Sequence, residues 1–404
     1  MSTTLRSLIV QRIRDSGPLT VAEYMDLALY HPVLGYYSHT RRPTGRAGDF
    51  FTSVDVGPQF GALLAAQLNQ MYRLLVVSGT PVIELVEVGA SNAQLARDIL
   101  DTTEEIYPDL YAAIRLTLVE TSKAARAAQR ETLGHHQKRL SDQLEILPEQ
   151  VCGVILTNEL LDALPTHAVT MTLDGLRELF VGVSGDRLVQ KAGHPSTPEL
   201  DRYIQRLDCT PPPGWRGEVN LAAVNWIRSA ARQLKQGFII VIDYGRSAEE
   251  LYSNRHDGGT LTTYYRHIGD ATGTDPQQLG GPTWLNCPGE QDITSHVDLT
   301  SIRTAAQEEG LDELGLVDQT RFLLGLGALN LPCKSVDSTD TLKHRLALKT
   351  LVVPGSLGST HKVLLLGKQM GQPQLLGCSF HMDNENTWIK STEQTDISSD
   401  ARSK

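Results

Sequence analysis

No stretch of the 404 residues approaches the roughly 18 consecutive apolar residues that a membrane helix needs, which argues against a membrane-spanning helical protein. Cysteine is sparse: Cys152, Cys209, Cys287, Cys333 and Cys378 are scattered, odd in number and without C-x-x-C spacing. That favours reduced thiols over a disulfide frame or a zinc ribbon. There is no Walker sequence and no G-x-S-x-G, so phosphate-loop ATPase, serine-hydrolase and dithiol-redox readings lack support. His267, His296 and His361 stand alone without metal-ligand spacing, and no metal is expected. Positive charge is also short. The net charge of −10 leaves no general basic surface for nucleic acid, although it suits a basic substrate. The opening residues, MSTTLRSLIVQRIRDSG, lack a signal-peptide apolar core, a small-residue cleavage site and the acid-poor character of a transit peptide. The sequence thus reads as soluble and cytoplasmic, with no membrane association.

What is present supports a large core: 40% of residues are hydrophobic, enough for two domains or for one α/β domain with insertions. The chain is organised around Ile83–Leu95, IELVEVGASNAQL. It reads as a buried strand, a turn at Gly89-Ala90-Ser91-Asn92, then a helix. Such a turn lets a ligand approach the backbone and meet the free N–H groups of a helix start. Only Gly89 of a glycine-rich fingerprint is present, so a plain βα turn fits the local sequence as well.

Around this stretch the pattern alternates. A helical stripe runs over Leu5, Leu8, Ile9 and Ile13, and Thr20 with Glu23 forms a capping box for a helix through about Tyr30. An irregular aromatic loop follows and contains Gly48–Ser53. A helix then spans about Pro58 to Leu75. Strands are expected at Val82–Val88, Leu116–Glu120, Leu144–Leu147, Val151–Leu156 and Phe238–Ile242, with helices between them, including Ala93–Leu100 and an Ala-rich one capped by Thr121 or Ser122. This alternation predicts an α/β, doubly wound parallel sheet with its strand ends along one edge. Ala168–Gln190 reads as β-hairpins, and Ser247–Ser295 as Gly-rich and largely irregular. A strand is expected at Lys362–Gly367. Past about Gly371 the chain turns polar, and from Asp383 a disordered tail is expected.

Three strand ends carry candidate chemistry. Glu120 closes a strand where a carboxylate can accept both hydroxyls of a ribose, or can simply face solvent. Glu87 precedes the first turn and could hold the turn's N–H groups or a ligand ammonium. Asn158 could meet an adenine edge or a reacting nitrogen. Glu159, with Asp162 on the same side if the segment turns helically, would suit a guanidinium, which binds carboxylates through two hydrogen bonds. A helix start rich in acids for dipole reasons reads equally well. Asp49, Thr52 and Ser53 are polar groups beside Phe50 and Phe51, which either wall an adenine or anchor the loop.

Taken in order, GPLTVAEYMDLALYHPVLGYY, GDFFTS, VEVG, LVETS, TNELLDALPTH, IDYG, GTLTTYYRH, DITSHVD, FLLGLG and VVPGSLGSTHKVLLLGK resemble the MidA-like family of S-adenosylmethionine-dependent methyltransferases, from about Arg6 to Lys368. Mitochondrial members of that family are complex I assembly factors that dimethylate an arginine. The resemblance implies a class I methyltransferase-like (Rossmann-like) seven-stranded sheet, its last strand antiparallel, with a helical N-terminal extension and inserted substrate-side segments. It divides the chain into a helical region 1–80 packing on the cofactor site, a methyltransferase domain 81–370 with insertions at about 168–215 and 247–297, and the polar tail 371–404. It implies S-adenosyl-L-methionine held by Glu87, Gly89, Ala90, Asn92, Glu120, Thr121, Asn158, Asp49 and Thr52, with Glu159 and Asp162 acting on a protein substrate that presents an arginine. A homodimer is compatible with it. The family's turn reads E-L-G-P-G-x-G, whereas this chain has Glu87-Val88-Gly89-Ala90-Ser91-Asn92-Ala93, two glycines fewer. A non-catalytic assembly factor on the same fold, and a small-molecule methyltransferase, remain the alternatives.

Overall fold

The computed structural model describes residues 4–38, 52–185, 187–265, 268–269, 282–333, 337–353, 357–382 and 388–390. Helix α1 (Leu5–Ser16) buries Leu5, Ile9 and Ile13, spaced to fall on one face, and stops at Gly17, whose φ of 91° a glycine tolerates. Strand β1 (Leu19–Thr20) leads into α2 (Val21–Tyr30). The expected capping box is there: Thr20 Oγ1 accepts the Glu23 N–H at 3.0 Å, and the Glu23 carboxylate accepts the Thr20 N–H at 2.8 Å. A short helix α3 (Ser53–Val56) precedes α4 (Gln59–Val77).

The main sheet then begins with β2 (Ile83–Val88), α5 (Gln94–Ile106), α6 (Pro108–Ala113), β3 (Ile114–Val119), α7 (Lys123–Leu133), β4 (Leu140–Leu144) and β5 (Val151–Asn158). The edge strand lies a few residues before the predicted Leu144–Leu147. Four strands follow: β6 (His167–Thr172), β7 (Gly175–Ser184), β8 (Arg187–Gly193) and β9 (Arg216–Val219). They form, with β1, a separate five-stranded sheet in the order β1-β7-β6-β9, with β8 on β7. The chain returns to the main sheet with β10 (Leu234–Arg246). The segment read as irregular contains β11 (Thr262–Tyr265), β12 (Ile268–Gly269) and β13 (Asp292–Thr294), a small antiparallel sheet. Its Thr and Tyr content favours strands where the glycines around it suggested only loop. Last come β14 (Val297–Asp298), β15 (Asp312–Asp318), β16 (His361–Lys368), β17 (Phe380–Met382) and β18 (Trp388–Lys390).

The main sheet has eight strands, in the order β15-β16-β10-β5-β2-β3-β4 with β14 paired to β10. Strands β4, β3, β2, β5 and β10 are mutually parallel, and β16 is antiparallel to both its neighbours. The predicted strand at Lys362–Gly367 is therefore this antiparallel one. Apolar side chains cover both faces. Phe60, Leu64 and Leu68 of α4 and Leu95 and Ile99 of α5 pack on one face; helices Leu221–Gln233 and Leu299–Glu308 pack on the other. Both faces are buried, so the central strands read as continuous apolar runs.

The N-terminal residues divide between two cores. Helix α4 belongs to the main sheet, while α1 and α2 pack with Leu179 and Val181 of β7, Trp284 and Ile293. The first part of the polar stretch after Gly371 packs on the fold. Leu375 is buried, the Leu376 N–H donates to Gln70 Oε1 at 2.8 Å, and the Gly377 N–H donates to Gln67 Oε1 at 2.9 Å. Two glutamine side chains on α4 thus hold a segment whose own composition promised only a tail. Residues 383–387 and 391–404 lie outside the described residues.

Candidate active site

The carboxyl ends of β2, β3, β5 and β10 meet along one edge of the sheet. At β2 the backbone turns through Gly89 (φ 72°), Ser91 (φ 44°) and Ala93 (φ 68°). Asn92, the residue better suited to positive φ, is not the one that takes it. The two positions where this chain has lost glycine keep left-handed backbone, although a Cβ makes that conformation costly. Neighbouring contacts enforce it. The Gly89 and Ala90 N–H groups donate to the Val119 carbonyl at 2.9 and 3.2 Å, and Ala90 and Ala93 are buried. The Ser91 N–H donates to Glu120 Oε2 at 2.9 Å, and the Ser91 carbonyl accepts Gln129 Nε2 at 2.9 Å. Asn92 Oδ1 accepts the Gln94 N–H at 3.2 Å.

Glu120 stands one residue past β3. Its other oxygen accepts the Ser122 N–H at 2.8 Å, so the carboxylate ties the second strand end to the first turn. Two of about four lone-pair positions on a carboxylate are used, which leaves acceptor capacity for hydroxyl groups. Ser122, not Thr121, caps α7; Thr121 is exposed and its carbonyl accepts Arg126 at 2.9 Å. Glu87 does not hold the turn. It is buried, its Oε2 has no partner among the described residues, and burial pushes its pKa up to about 8 against a favourable backbone N–H from Ala96.

At β5 the sequence expectation needs correction. Residues 159–164 form a bend and a turn, not a helix start, and Glu159 has a φ of 51°. The acids come together by this turn rather than by helical spacing. Asp243, three residues before the end of β10, builds it: Asp243 Oδ2 accepts the Leu160 and Leu161 N–H groups at 3.1 and 2.7 Å, and Oδ1 accepts the Tyr244 N–H at 2.8 Å. Glu159 Oε1 lies 3.2 Å from Asn158 Nδ2, 3.4 Å from the Ser53 N–H and 3.4 Å from His361 Nε2. Asp162 is buried with Oδ1 unpartnered among the described residues. Burial raises its pKa well above the usual carboxylate range, and the charges of Asp243, Glu159 and Asp292 raise it further. Asp243 is pushed up to about 7, first by burial and then by Glu159.

The remaining candidates occupy the rim. Thr52 is buried, but its hydroxyl serves the α3 capping box with Asp55, and it is Ser53 that reaches Glu159. Asp49 lies outside the described residues. From the N-terminal region, Tyr30 OH donates to the Ala163 carbonyl at 3.0 Å and Tyr37 OH donates to Asp292 Oδ1 at 2.8 Å. Their rings lie 5.4 Å apart, and Ser122 Oγ donates to the Tyr37 carbonyl at 2.8 Å. Sequence reasoning assigned no role to Asp243, Asp292, Tyr30 or Tyr37. Asp243 was findable, because it too closes an apolar strand. Tyr37 and Asp292 meet across more than half the chain, and neither sits in a motif whose spacing signals the other.

Unpaired acceptors concentrate at this edge. Glu87 Oε2, Asn158 Oδ1, Asp162 Oδ1, Thr166 Oγ1 and Ser295 Oγ are all buried without a partner among the described residues. A buried acceptor left alone costs free energy. A ligand rich in N–H and O–H donors and carrying positive charge is what such a set complements.

Comparison with known proteins gives consistent results. A family model described as "Putative S-adenosyl-L-methionine-dependent methyltransferase" matches residues 63–317. The mouse (Mus musculus) protein arginine methyltransferase NDUFAF7, mitochondrial, is 29% identical over 92% of this chain and 82% of its own length. The human protein of that name is 28% identical over 79% of this chain and 72% of its own. A Burkholderia thailandensis crystal structure with bound S-adenosyl-homocysteine superposes with a TM-score of 0.81 at 28% identity, covering 92% of this chain and 94% of that one.

Proposed function

From membership of the MidA-like family of S-adenosyl-L-methionine-dependent methyltransferases, to which this chain belongs, we propose that it transfers methyl groups to an arginine nitrogen of a protein substrate. The observation that carries the reading is the set of unpaired buried acceptors near the strand ends, Glu87 Oε2 and Asp162 Oδ1 among them. We read the strands β4-β3-β2-β5-β10-β16-β15 as the seven-stranded class I methyltransferase sheet, β14 being an addition to it.

The acceptor set fits the cofactor. Glu87 Oε2 suits an ammonium, Glu120 keeps lone pairs for ribose hydroxyls, and Gly89 is exposed at the turn. The sulfonium of S-adenosyl-L-methionine, when bound, supplies a methyl group reactive enough that the protein needs only to align the attacking nitrogen. The protein residues do the rest. Asp162 and Glu159 lie close enough to repel each other, so a guanidinium between them relieves that repulsion and is fixed by bidentate hydrogen bonds. Attack requires a nitrogen lone pair, so a guanidinium proton must leave. Glu159 Oε1 is anchored by Ser53 and Asn158, and we assign the proton to Oε2. Tyr30 and Tyr37, from the N-terminal region, limit water at this end of the cleft.

The names of the mitochondrial relatives support a protein arginine substrate, and the inserted five-stranded sheet supports a broad substrate side. The test is calorimetric titration with S-adenosyl-L-methionine, followed by mass spectrometry of methylated protein. Saturable binding with labelled arginine supports the reading. The replaced glycines at Ser91 and Ala93 favour one other reading, an assembly factor that no longer transfers methyl; for that case no cofactor binding is expected at millimolar ligand.

A further inference from the structure

Away from the cleft, two helices bring together four residues that the reading above leaves unused. Asp101 and Glu104 are three apart on α5 and therefore share a face. His135 and His136 lie in the 3-10 segment Gly134–Arg139 that follows α7. His135 Nε2 is 2.7 Å from Glu104 Oε2, and His136 Nε2 is 2.9 Å from Asp101 Oδ1. The two imidazole rings overlap with centroids 3.9 Å apart. One ligand atom each from Glu104, His135 and His136 fall within 4.8 Å of one another.

We propose that Glu104, His135 and His136 form a three-ligand surface site for a divalent transition-metal ion of the zinc class, with water completing the coordination. Imidazole nitrogen and carboxylate oxygen are the donors such ions take, at bonds of about 2.0–2.2 Å, which puts tetrahedral donors roughly 3.4 Å apart. The His135–Glu104 pair at 2.7 Å and the 4.8 Å limit on the three donors bracket that spacing. His136 is already oriented for the task. It is 1% exposed, and its Nδ1 is 2.8 Å from Tyr111 OH, which fixes the ring with Nε2 toward the carboxylates. A partner on the second ring nitrogen is the usual support of a metal-bound histidine. One dication would serve both rings and the Glu104 carboxylate. Lys138, whose Nζ lies 3.2 Å from Glu104 Oε1, competes for the same carboxylate and is exposed enough to swing away. A bound ion would pin the far end of α5, the helix that starts at the candidate cofactor turn, to the end of α7.

The test is titration of the full chain, stripped with a chelator, with Zn²⁺ by calorimetry and with Co²⁺ by visible absorption. One equivalent is expected, with ligand-field bands of nitrogen and oxygen coordination. His135→Ala and Glu104→Gln change exposed groups and should leave the circular dichroism unchanged. Each should weaken binding by about tenfold or more, and Tyr111→Phe by about tenfold through the lost ring support. Lys138→Ala should tighten it. Absence of saturable binding to the unaltered chain, or binding that His135→Ala leaves unchanged, overturns the proposal.

Discussion

Ser91 and Ala93 hold a backbone conformation that their side chains oppose. Left-handed φ costs an L-residue roughly 1–2 kcal/mol, partly offset because glycine loses more entropy on folding. Ser91→Gly should therefore stabilise the protein by about 0.5–1 kcal/mol in urea unfolding and leave cofactor affinity intact, because the N–H to Glu120 is kept. Glu87→Gln addresses the neighbouring claim. If Oε2 accepts a ligand ammonium, the amide should weaken S-adenosyl-homocysteine binding by about tenfold, the scale of one charge-assisted hydrogen bond. Unchanged affinity would remove Glu87 from the site. The strand-end acids and Asn158 were legible in the sequence because each closes an apolar run. The residues with positive φ were not, because residue type argues for Asn92 while the local hydrogen bonds select Ser91 and Ala93.

The turn after β5 is the element on which the substrate side depends, and it has no helix to hold it. Asp243 does so through the backbone N–H groups of Leu160 and Leu161, while its other oxygen accepts the N–H of Tyr244. Asp243→Ala leaves these donors buried and unpaired, and should cost at least about 2 kcal/mol in stability. It should also reduce kcat more than it weakens cofactor binding, because the residues displaced are Glu159 and Asp162. The sequence identified β5 and its acids but suggested a helical start. An acid-rich segment after a strand resembles a helix N-terminus, and only the β10 neighbour shows where the N–H groups go. The hairpins were readable from alternation and from turn residues, and the antiparallel direction of β16 from the family resemblance. The docking of Leu376 and Gly377 on Gln70 and Gln67 was not, since it pairs segments some 300 residues apart.

At the scale of the whole molecule the buried acids give a pH signature. Burial raises Glu87 to about 8, Asp243 to about 7 and Asp98 to about 6. The folded chain therefore retains protons that the unfolded chain releases at lower pH. Stability of the ligand-free protein should fall as pH rises through about 4 to 8, which thermal unfolding across that range will check. Saturating S-adenosyl-homocysteine should flatten the slope, because its ammonium lets Glu87 ionise with a partner, and Glu87→Gln should flatten it without ligand. Among the described residues no helix is long and apolar enough to cross a membrane. The central claim is methyl transfer to arginine at the Glu159–Asp162 turn. Its most direct test is mass spectrometry of a proteome from cells lacking this chain, incubated with the purified protein and methyl-labelled S-adenosyl-L-methionine. The account expects label on guanidino nitrogens, lost in Glu159→Gln while cofactor affinity persists. Label on any other atom, or no label from a chain that binds cofactor, would contradict it.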